Sequence, residues 1–150
     1  MTEDVEIKTI VNVVPCSGIG KALGTLSRWA AFDAVEKCPE KSRLLCLSRF
    51  VVIDDEYKDF VRNNYNITLD GCPEKCATKH VERNGGTVQK SHLMAKYLIK
   101  NRDLKIDVKN VSNPGENAEK LAKRIGNELE EEIDEILDGS NGEKGEDKNV

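Results

Sequence analysis

Apolar runs typical of β-strands alternate with segments of helical periodicity along this chain, and the alternation restricts its fold more than any other feature. The first run, residues 6–14, is mostly apolar and β-branched, as is typical of strands covered on both faces of a sheet. Residues 19–30 then repeat apolar side chains at helical spacing. This helix should end near Pro39, because proline disfavours helix in the residue before it. Such alternation predicts a parallel sheet with right-handed crossovers.

The remaining elements continue this pattern. The further predicted elements are, in chain order, a strand region at 43–52, a short helix capped by Asp54 or Asp55, a strand at 66–69, a helix from Pro73 to Gly85, a helix at 91–102, a final strand at 104–108 and a long helix after Pro114. We therefore expect a small three-layer α/β/α sandwich with about four mostly parallel strands and helices on both faces. The order 2-1-3-4 is predicted, because it places the first strand between the second and the third.

The chain of 150 residues is long enough for one domain with a hydrophobic core. We predict a single domain over residues 1–138. Residues 139–150 are almost entirely polar or charged, so they should form an unfolded acidic tail that cannot bury enough apolar surface to fold.

Composition bears on the partners and the compartment. The net charge is −4 and aromatic residues make up 5% of the chain, and no basic block is interleaved with aromatics, which argues against nucleic-acid binding. The acidic N-terminal segment and the lack of a long apolar run predict neither a signal peptide nor a membrane span. We therefore expect a cytoplasmic protein whose five cysteines are reduced, and such cysteines more often serve metal binding or catalysis than structural disulfides.

Three cysteine-containing motifs follow predicted strands. They lie at residues 15–18, 44–47 and 70–76, and they contain Cys16, Cys46 and the pair Cys72 and Cys76. Because the carboxyl ends of parallel strands meet at one edge of a sheet, these four cysteines are expected to share a site there. Cys38, next to Pro39, is expected to be incidental.

Four thiolates suit a structural zinc site, and they suit iron or an iron–sulfur cluster equally well. If the helix begins at Pro73, Cys72 and Cys76 lie four residues apart on one helical face, with Cys72 at the helix start, where free N–H groups favour a thiolate. His80 is a further candidate that could bind the metal beside Cys76, support the ligands or simply line the helix. Asp70 and Gly71 are expected to support the ligands. Asp70 would cap the helix or accept an N–H from the thiolate loop, and Gly71 would take a positive φ or allow a close backbone approach.

The turn after the first strand contains Ser17, Gly18 and Lys21. It matches neither the Walker phosphate loop nor the cysteine-phosphatase loop, since Ala22 stands where each pattern needs another residue. Backbone N–H groups of such a turn can still hold an anion, so Ser17 and Gly18 are candidates for an anion loop and a small anion or thiol is a candidate partner.

A thiol enzyme is the alternative to a metal-binding protein. Cys16, which is expected at the start of the first helix, would be its nucleophile, and Cys72 or Cys76 would resolve the intermediate as a disulfide. Thiol-dependent redox chemistry or sulfur transfer would suit this arrangement. The residues leave open whether the protein is an enzyme.

The motifs also resemble a known family. Pro15-Cys16-Ser17-Gly18, Cys46 and above all the string Asp70-Gly71-Cys72-Pro73-x-x-Cys76-Ala77 are similar to the DGC-domain family, which is named for its Asp-Gly-Cys signature. The resemblance covers about residues 10–90 and implies a small α/β domain with four cysteines proposed as zinc ligands. The implied ligands are Cys16, Cys46, Cys72 and Cys76. Many members carry a further cysteine where this chain has His80, which keeps a metal-binding side chain at that position.

Overall fold

The structure, a computed structural model, describes residues 9–52 and 55–142. Within them lies a four-stranded parallel sheet in the order β2-β1-β3-β4. The elements are β1 (Val11–Pro15), α1 (Ala22–Lys37), β2 (Ser42–Leu44), α2 (Asp55–Asn63), β3 (Tyr65–Asp70), α3 (Cys76–Arg83), β4 (Lys90–Leu93), α4 (Met94–Lys100) and α5 (Glu116–Gly142), with 3₁₀ turns at Leu47–Phe50 and Arg102–Leu104. The predicted α/β class and strand order are confirmed.

Strand β1 lies inside the sheet and sends alternate side chains to two separate cores. Val11 and Val13 are fully buried against α1, α4 and α5, whereas Val14 packs towards α2 and α3. Helices therefore cover both faces, as predicted. The apolar run of β1 follows from this position, since a strand with a covered face on each side has no solvent-facing position.

Helix α5 covers one face of the sheet with the stripe that its periodicity predicts. Its buried residues are Ala118, Leu121, Ala122, Ile125, Leu129 and Ile133. It packs so closely against α1 that a Cβ at Gly126 would clash with the Asp33 carboxylate, at a distance of 2.0 Å. The helix continues to Gly142, past the predicted domain end at 138. The rest of the predicted tail, residues 143–150, lies outside the described residues.

The fourth strand is not where the sequence pattern placed it. Strand β4 occupies the beginning of the segment predicted as the helix 91–102, and α4 follows it directly. Residues 104–108 end a 3₁₀ turn and enter a loop, so the predicted final strand there is wrong. Two physical reasons account for the error. The free edge of β3 pairs with β4 from Ile67 to Asp70, and Lys105 adopts a left-handed φ of 49° that interrupts an extended run.

Other boundaries also shift. Helix α1 ends beside Cys38, as predicted, but it starts at Ala22, and Ile19 is 93% exposed in the preceding turn instead of buried in the helix. Strand β2 stops at Leu44, so Cys46 lies in the loop that follows it. Of the two predicted caps of α2, Asp54 lies outside the described residues and Asp55 is the first helical residue.

Candidate functional site

The carboxyl ends of β1 and β3 border a cavity of about 330 Å³ that contains three of the predicted cysteines. The two strands are neighbours, and Pro15 is in register with Leu69. The lining residues are Cys16, Gly18, Gly20, Lys21, Gly24, Asp70, Gly71, Cys72, Glu74 and Cys76. We call this space the cysteine cavity. Positions far apart in the sequence thus meet at the sheet edge where parallel α/β folds place ligands.

Cys16 continues the hydrogen-bond ladder of the sheet. Its N–H donates to the Leu69 carbonyl at 2.8 Å, and its sulfur accepts a hydrogen bond from the Gly71 N–H at 3.2 Å. Since α1 begins only at Ala22, Cys16 lies at a strand end, and the expectation that it lies at a helix start is wrong. Its sulfur is held by the backbone of the neighbouring strand end instead.

A buried serine of α1 completes the surroundings of Cys16. The Ser27 hydroxyl donates to the Gly24 carbonyl at 2.7 Å, accepts from the Ser17 N–H at 3.2 Å and lies 3.5 Å from the Cys16 sulfur. Because its only proton points to Gly24, the thiol of Cys16 is the donor in this arrangement. Sequence reasoning missed Ser27. The available signal was a small polar residue on the apolar face of the first helix.

Cys72 and Cys76 do not share one helical face. Helix α3 begins at Cys76, and Cys72 lies before a turn in which the Lys75 N–H donates to the Cys72 carbonyl at 3.2 Å. Lys75 has a φ of 52°, a left-handed conformation that a continuous helix from Pro73 would not allow. The helix start assigned to Cys72 therefore belongs to Cys76.

Asp70 determines where that helix starts. Its carboxylate is 1% exposed and accepts the N–H of Ala77 at 2.7 Å on one oxygen. The other oxygen accepts the N–H of Thr78 at 3.3 Å and its hydroxyl at 2.7 Å. Asp70 thus caps α3, one of the roles expected for it, and holds Cys76 in the first turn beside the cavity.

Glycines allow the close contacts around the cavity. A Cβ at Gly71 would lie 3.1 Å from the Leu23 carbonyl carbon and 3.2 Å from the Gly24 nitrogen, so α1 approaches this turn without room for a side chain. A Cβ at Gly24 would lie 2.1 Å from the Gly18 oxygen. The close approach expected of Gly71 is present, whereas its alternative, a positive φ, is not.

Cys46 lies in an adjoining cavity of about 530 Å³, which we call the arginine cavity. Its lining residues are Pro15, Ser17, Arg28, Phe32, Leu44, Leu45, Cys46, Leu47, Ser48, Arg49 and Tyr57. The Cys46 sulfur is 3.0 Å from the Ser48 hydroxyl. This contact, with the N–H groups of Ser48 and Arg49 and the charge of Arg49, lowers the pKa of the Cys46 thiol against a smaller opposing effect of burial. The sequence placed Cys46 in one site with the other three cysteines, and the structure places it next to them.

His80, a candidate ligand, and Cys38, expected to be incidental, do not line the cysteine cavity. His80 stacks on Phe50 with ring centroids 6.1 Å apart. Cys38 is buried in the core on the α1 and α5 side, where burial, followed by the charges of Glu130 and Asp134, raises the pKa of its thiol.

The described residues contain no group of three or more Cys, His, Asp or Glu side chains arranged to hold a metal ion. The chemistry of the donors in the cysteine cavity nevertheless fits zinc, since Cys16, Cys72 and Cys76 are three thiols facing one space. Metal coordination would require these three sulfurs to approach one another more closely than they do here.

The fold and the site together define a small parallel α/β domain with a cysteine-lined cavity at the carboxyl edge of its sheet. The family model described as "DGC domain" matches residues 12–125, and the chain belongs to this family. The match includes all four cysteines of the resemblance and extends into α5. Neither a curated protein nor a solved structure gives a significant match. In the part of the chain described here, no helix combines the length and apolarity needed to cross a bilayer.

Proposed function

We propose that this DGC-domain protein binds zinc through the thiolates of Cys16, Cys72 and Cys76. The observation that supports this proposal is that all three side chains line the cysteine cavity at the carboxyl edge of the sheet. Thiolate sulfurs are preferred zinc ligands, and a site of this type binds the metal with loss of the thiol protons. Zinc bound there would join the strand ends to α3.

The residues around the sulfurs would support such a site. The Gly71 N–H already donates to the Cys16 sulfur, which orients it and would share the charge of a metal-bound thiolate. Asp70 holds the first turn of α3 and, with it, Cys76. The Asp70 carboxylate is occupied by hydrogen bonds to Ala77 and Thr78, so we assign it a supporting role and not a ligand role.

Cys46 is the fourth ligand that the family resemblance implies. It lines the arginine cavity, so its participation would require the loop after β2 to move towards Cys16. A site with Cys46 would be closed by four thiolates, as in structural zinc sites, whereas a site without it would keep an open coordination position.

The test is elemental analysis of the full chain purified anaerobically without chelator. We expect about one zinc ion per chain, with a large loss in Cys16→Ser, Cys72→Ser and Cys76→Ser. Cys38→Ala is the matched control, because Cys38 is buried away from the cavity, and it should keep the metal. Loss of zinc in Cys46→Ser would assign the fourth ligand. A wild-type protein without metal contradicts the proposal, and visible absorbance with iron in place of zinc would reassign the metal.

A thiol-dependent redox enzyme is the second candidate, and the hydrogen bond from Gly71 to the Cys16 sulfur favours it. The Cys16 thiolate would attack one sulfur of a disulfide substrate, forming a mixed disulfide and releasing one thiolate. Cys72 or Cys76 would then attack the Cys16 sulfur, release the second thiolate and leave a disulfide within the protein. Mass spectrometry after anaerobic incubation with a small disulfide would find this bond. Reduction of the small disulfide by Cys16→Ser at the wild-type rate would exclude the mechanism.

A further inference from the structure

The arginine cavity lies on the other side of the β1 strand end from the cysteine cavity. Successive residues divide between the two spaces, since Cys16 lines the cysteine cavity and Ser17 lines the arginine cavity. Ser17 has a φ of 50°, a left-handed conformation that non-glycine residues rarely adopt. The Ser27 hydroxyl holds this conformation by accepting the Ser17 N–H at 3.2 Å. Because of this backbone conformation, the adjacent side chains of Cys16 and Ser17 line different cavities.

Among the described residues, the charged side chains that line the arginine cavity are those of Arg28 and Arg49, and no carboxylate is among them. Arg28 is half-buried, and its guanidinium donates to the Ser17 hydroxyl at 3.2 Å. Among residues 9–52 and 55–142, no carboxylate lies within ion-pair distance of Arg28. A guanidinium has five N–H donors in a planar fork, so most of the donors of Arg28 are left for a ligand or water.

The remaining wall of the cavity is mostly apolar. Phe32 of α1, Leu44 at the end of β2 and Leu47 of the 3₁₀ turn lie there, with the hydroxyls of Ser48 and Tyr57. The volume of about 530 Å³ is in the range of small-molecule sites. A cavity with an oriented guanidinium at one part of its wall and apolar side chains at another fits a ligand that has both an anionic and an apolar part.

We propose that the arginine cavity binds a small organic carboxylate, with the carboxylate on Arg28 and Ser17 and the apolar body against Phe32, Leu44 and Leu47. Arg49 also lines this cavity, and its guanidinium lies 4.8 Å from the centre of the Tyr57 ring. The site does not depend on the proposed zinc ligands in the cysteine cavity. It needs no metal and no reactive thiol.

The test is a titration of the isotopically labelled full chain with benzoate, followed by the amide and arginine side-chain resonances in NMR spectra. Benzoate should shift Ser17, Leu47 and the Arg28 guanidinium in a saturable way, and benzamide, its neutral analogue, should bind at least about tenfold more weakly. Equal binding of benzamide, or no saturable shift in this cavity, overturns the proposal. Inorganic phosphate is titrated in parallel, and tighter binding of phosphate than of benzoate would also contradict a carboxylate site with an apolar wall.

Two variants locate the interaction. Arg28→Gln should weaken benzoate binding at least about tenfold, whereas Arg83→Gln, which removes an exposed cation from α3, should leave it unchanged. Ser17→Gly removes the hydroxyl while keeping a residue suited to the φ of 50°, so it should weaken binding without loss of folding. The spectra themselves report whether each variant is folded. The titration is repeated with EDTA, because loss of benzoate binding on chelation would place the anion on a metal ion and refute the site.

Discussion

The N–H of Gly71 donates a hydrogen bond to the sulfur of Cys16 at 3.2 Å, and this bond joins the ends of two neighbouring parallel strands. It exists because β1 and β3 pair up to Pro15 and Leu69, so the residues that follow emerge side by side. Position 71 suits glycine because α1 passes directly against it and leaves little space for a Cβ. The environment of the candidate ligand Cys16 is therefore built from backbone contacts and the buried Ser27 hydroxyl, which substitutions of surface residues will not alter.

Gly71→Ala should disturb both the packing and the sulfur contact. The added Cβ would lie 3.1 Å from the Leu23 carbonyl carbon and 3.2 Å from the Gly24 nitrogen, and neither backbone atom can rotate away. We expect a loss of about 1–3 kcal/mol in the free energy of unfolding, measured by urea denaturation. Gly20→Ala is the matched control, because nothing lies within 4 Å of a Cβ there. Equal stability of the two variants would mean that the contact with α1 is not restrictive.

Asp70→Ala should destabilise the start of α3. The substitution removes the acceptors of the Ala77 and Thr78 N–H groups and leaves them without side-chain partners in a buried place. We expect a loss of about 2 kcal/mol in the free energy of unfolding and a smaller loss for Asp70→Asn, which keeps one acceptor oxygen. Glu82→Gln, an exposed change in the same helix, serves as the control. A loss no larger than that of the control would show that Asp70 does not cap the helix.

Cys46 and Cys38 should react with iodoacetamide in opposite ways. The Ser48 hydroxyl and nearby N–H groups lower the pKa of Cys46 from 9.0, so its thiolate forms at lower pH and the residue is exposed to the reagent. Burial raises the pKa of Cys38 from the same value. Peptide mass spectrometry at a series of pH values, with EDTA present, should find Cys46 labelled below pH 9.0 and Cys38 protected.

The control for this labelling is the same protein unfolded in urea, where both thiols should react alike because the local contacts are gone. Labelling of Cys38 ahead of Cys46 in the folded protein would contradict the assigned environments of both residues.

Tyr97→Phe should remove a polar connection between α4 and α5. The Tyr97 hydroxyl donates to Glu128 at 2.8 Å and lies 2.8 Å from the His92 ring, which in turn contacts Glu132 at 2.7 Å. The variant should lose about 1 kcal/mol of stability at neutral pH. Tyr97→Leu is the harsher comparison, since it also removes the aromatic ring.

The pH dependence gives this prediction a second readout. Burial, followed by the hydrogen bond to Glu128, raises the pKa of Tyr97 above its usual value of 10.0. The unfolded chain therefore releases this proton first, so the stability contributed by Tyr97 is complete below pH 10.0 and is lost as the pH rises further. Wild-type stability should fall more steeply above that pH than the stability of Tyr97→Phe. Parallel curves would show that the phenol is not protected.

Much of the fold follows from local pattern. The β-branched run before Pro15 and the apolar stripe of α5 each identified an element correctly. Side chains buried in a core are mostly apolar, so they recur along the chain with the period of the element. The pattern failed at the last strand. The Ser91 region forms β4 because it pairs with the edge of β3, and that partner is not visible in the local periodicity of the segment.

The candidate site also has features that follow from local sequence and features that depend on the tertiary structure. The sequence by itself determined the candidate site residues, namely cysteines at or shortly after strand ends, since a strand end and a reactive residue type can both be read from neighbours in the chain. Only the tertiary structure decided which of them share a cavity. Asp70 selects the helix start at Cys76, the left-handed Ser17 faces away from Cys16, and the loop after β2 carries Cys46 to the adjoining space. These outcomes depend on hydrogen bonds and packing between distant segments, which local sequence patterns do not encode.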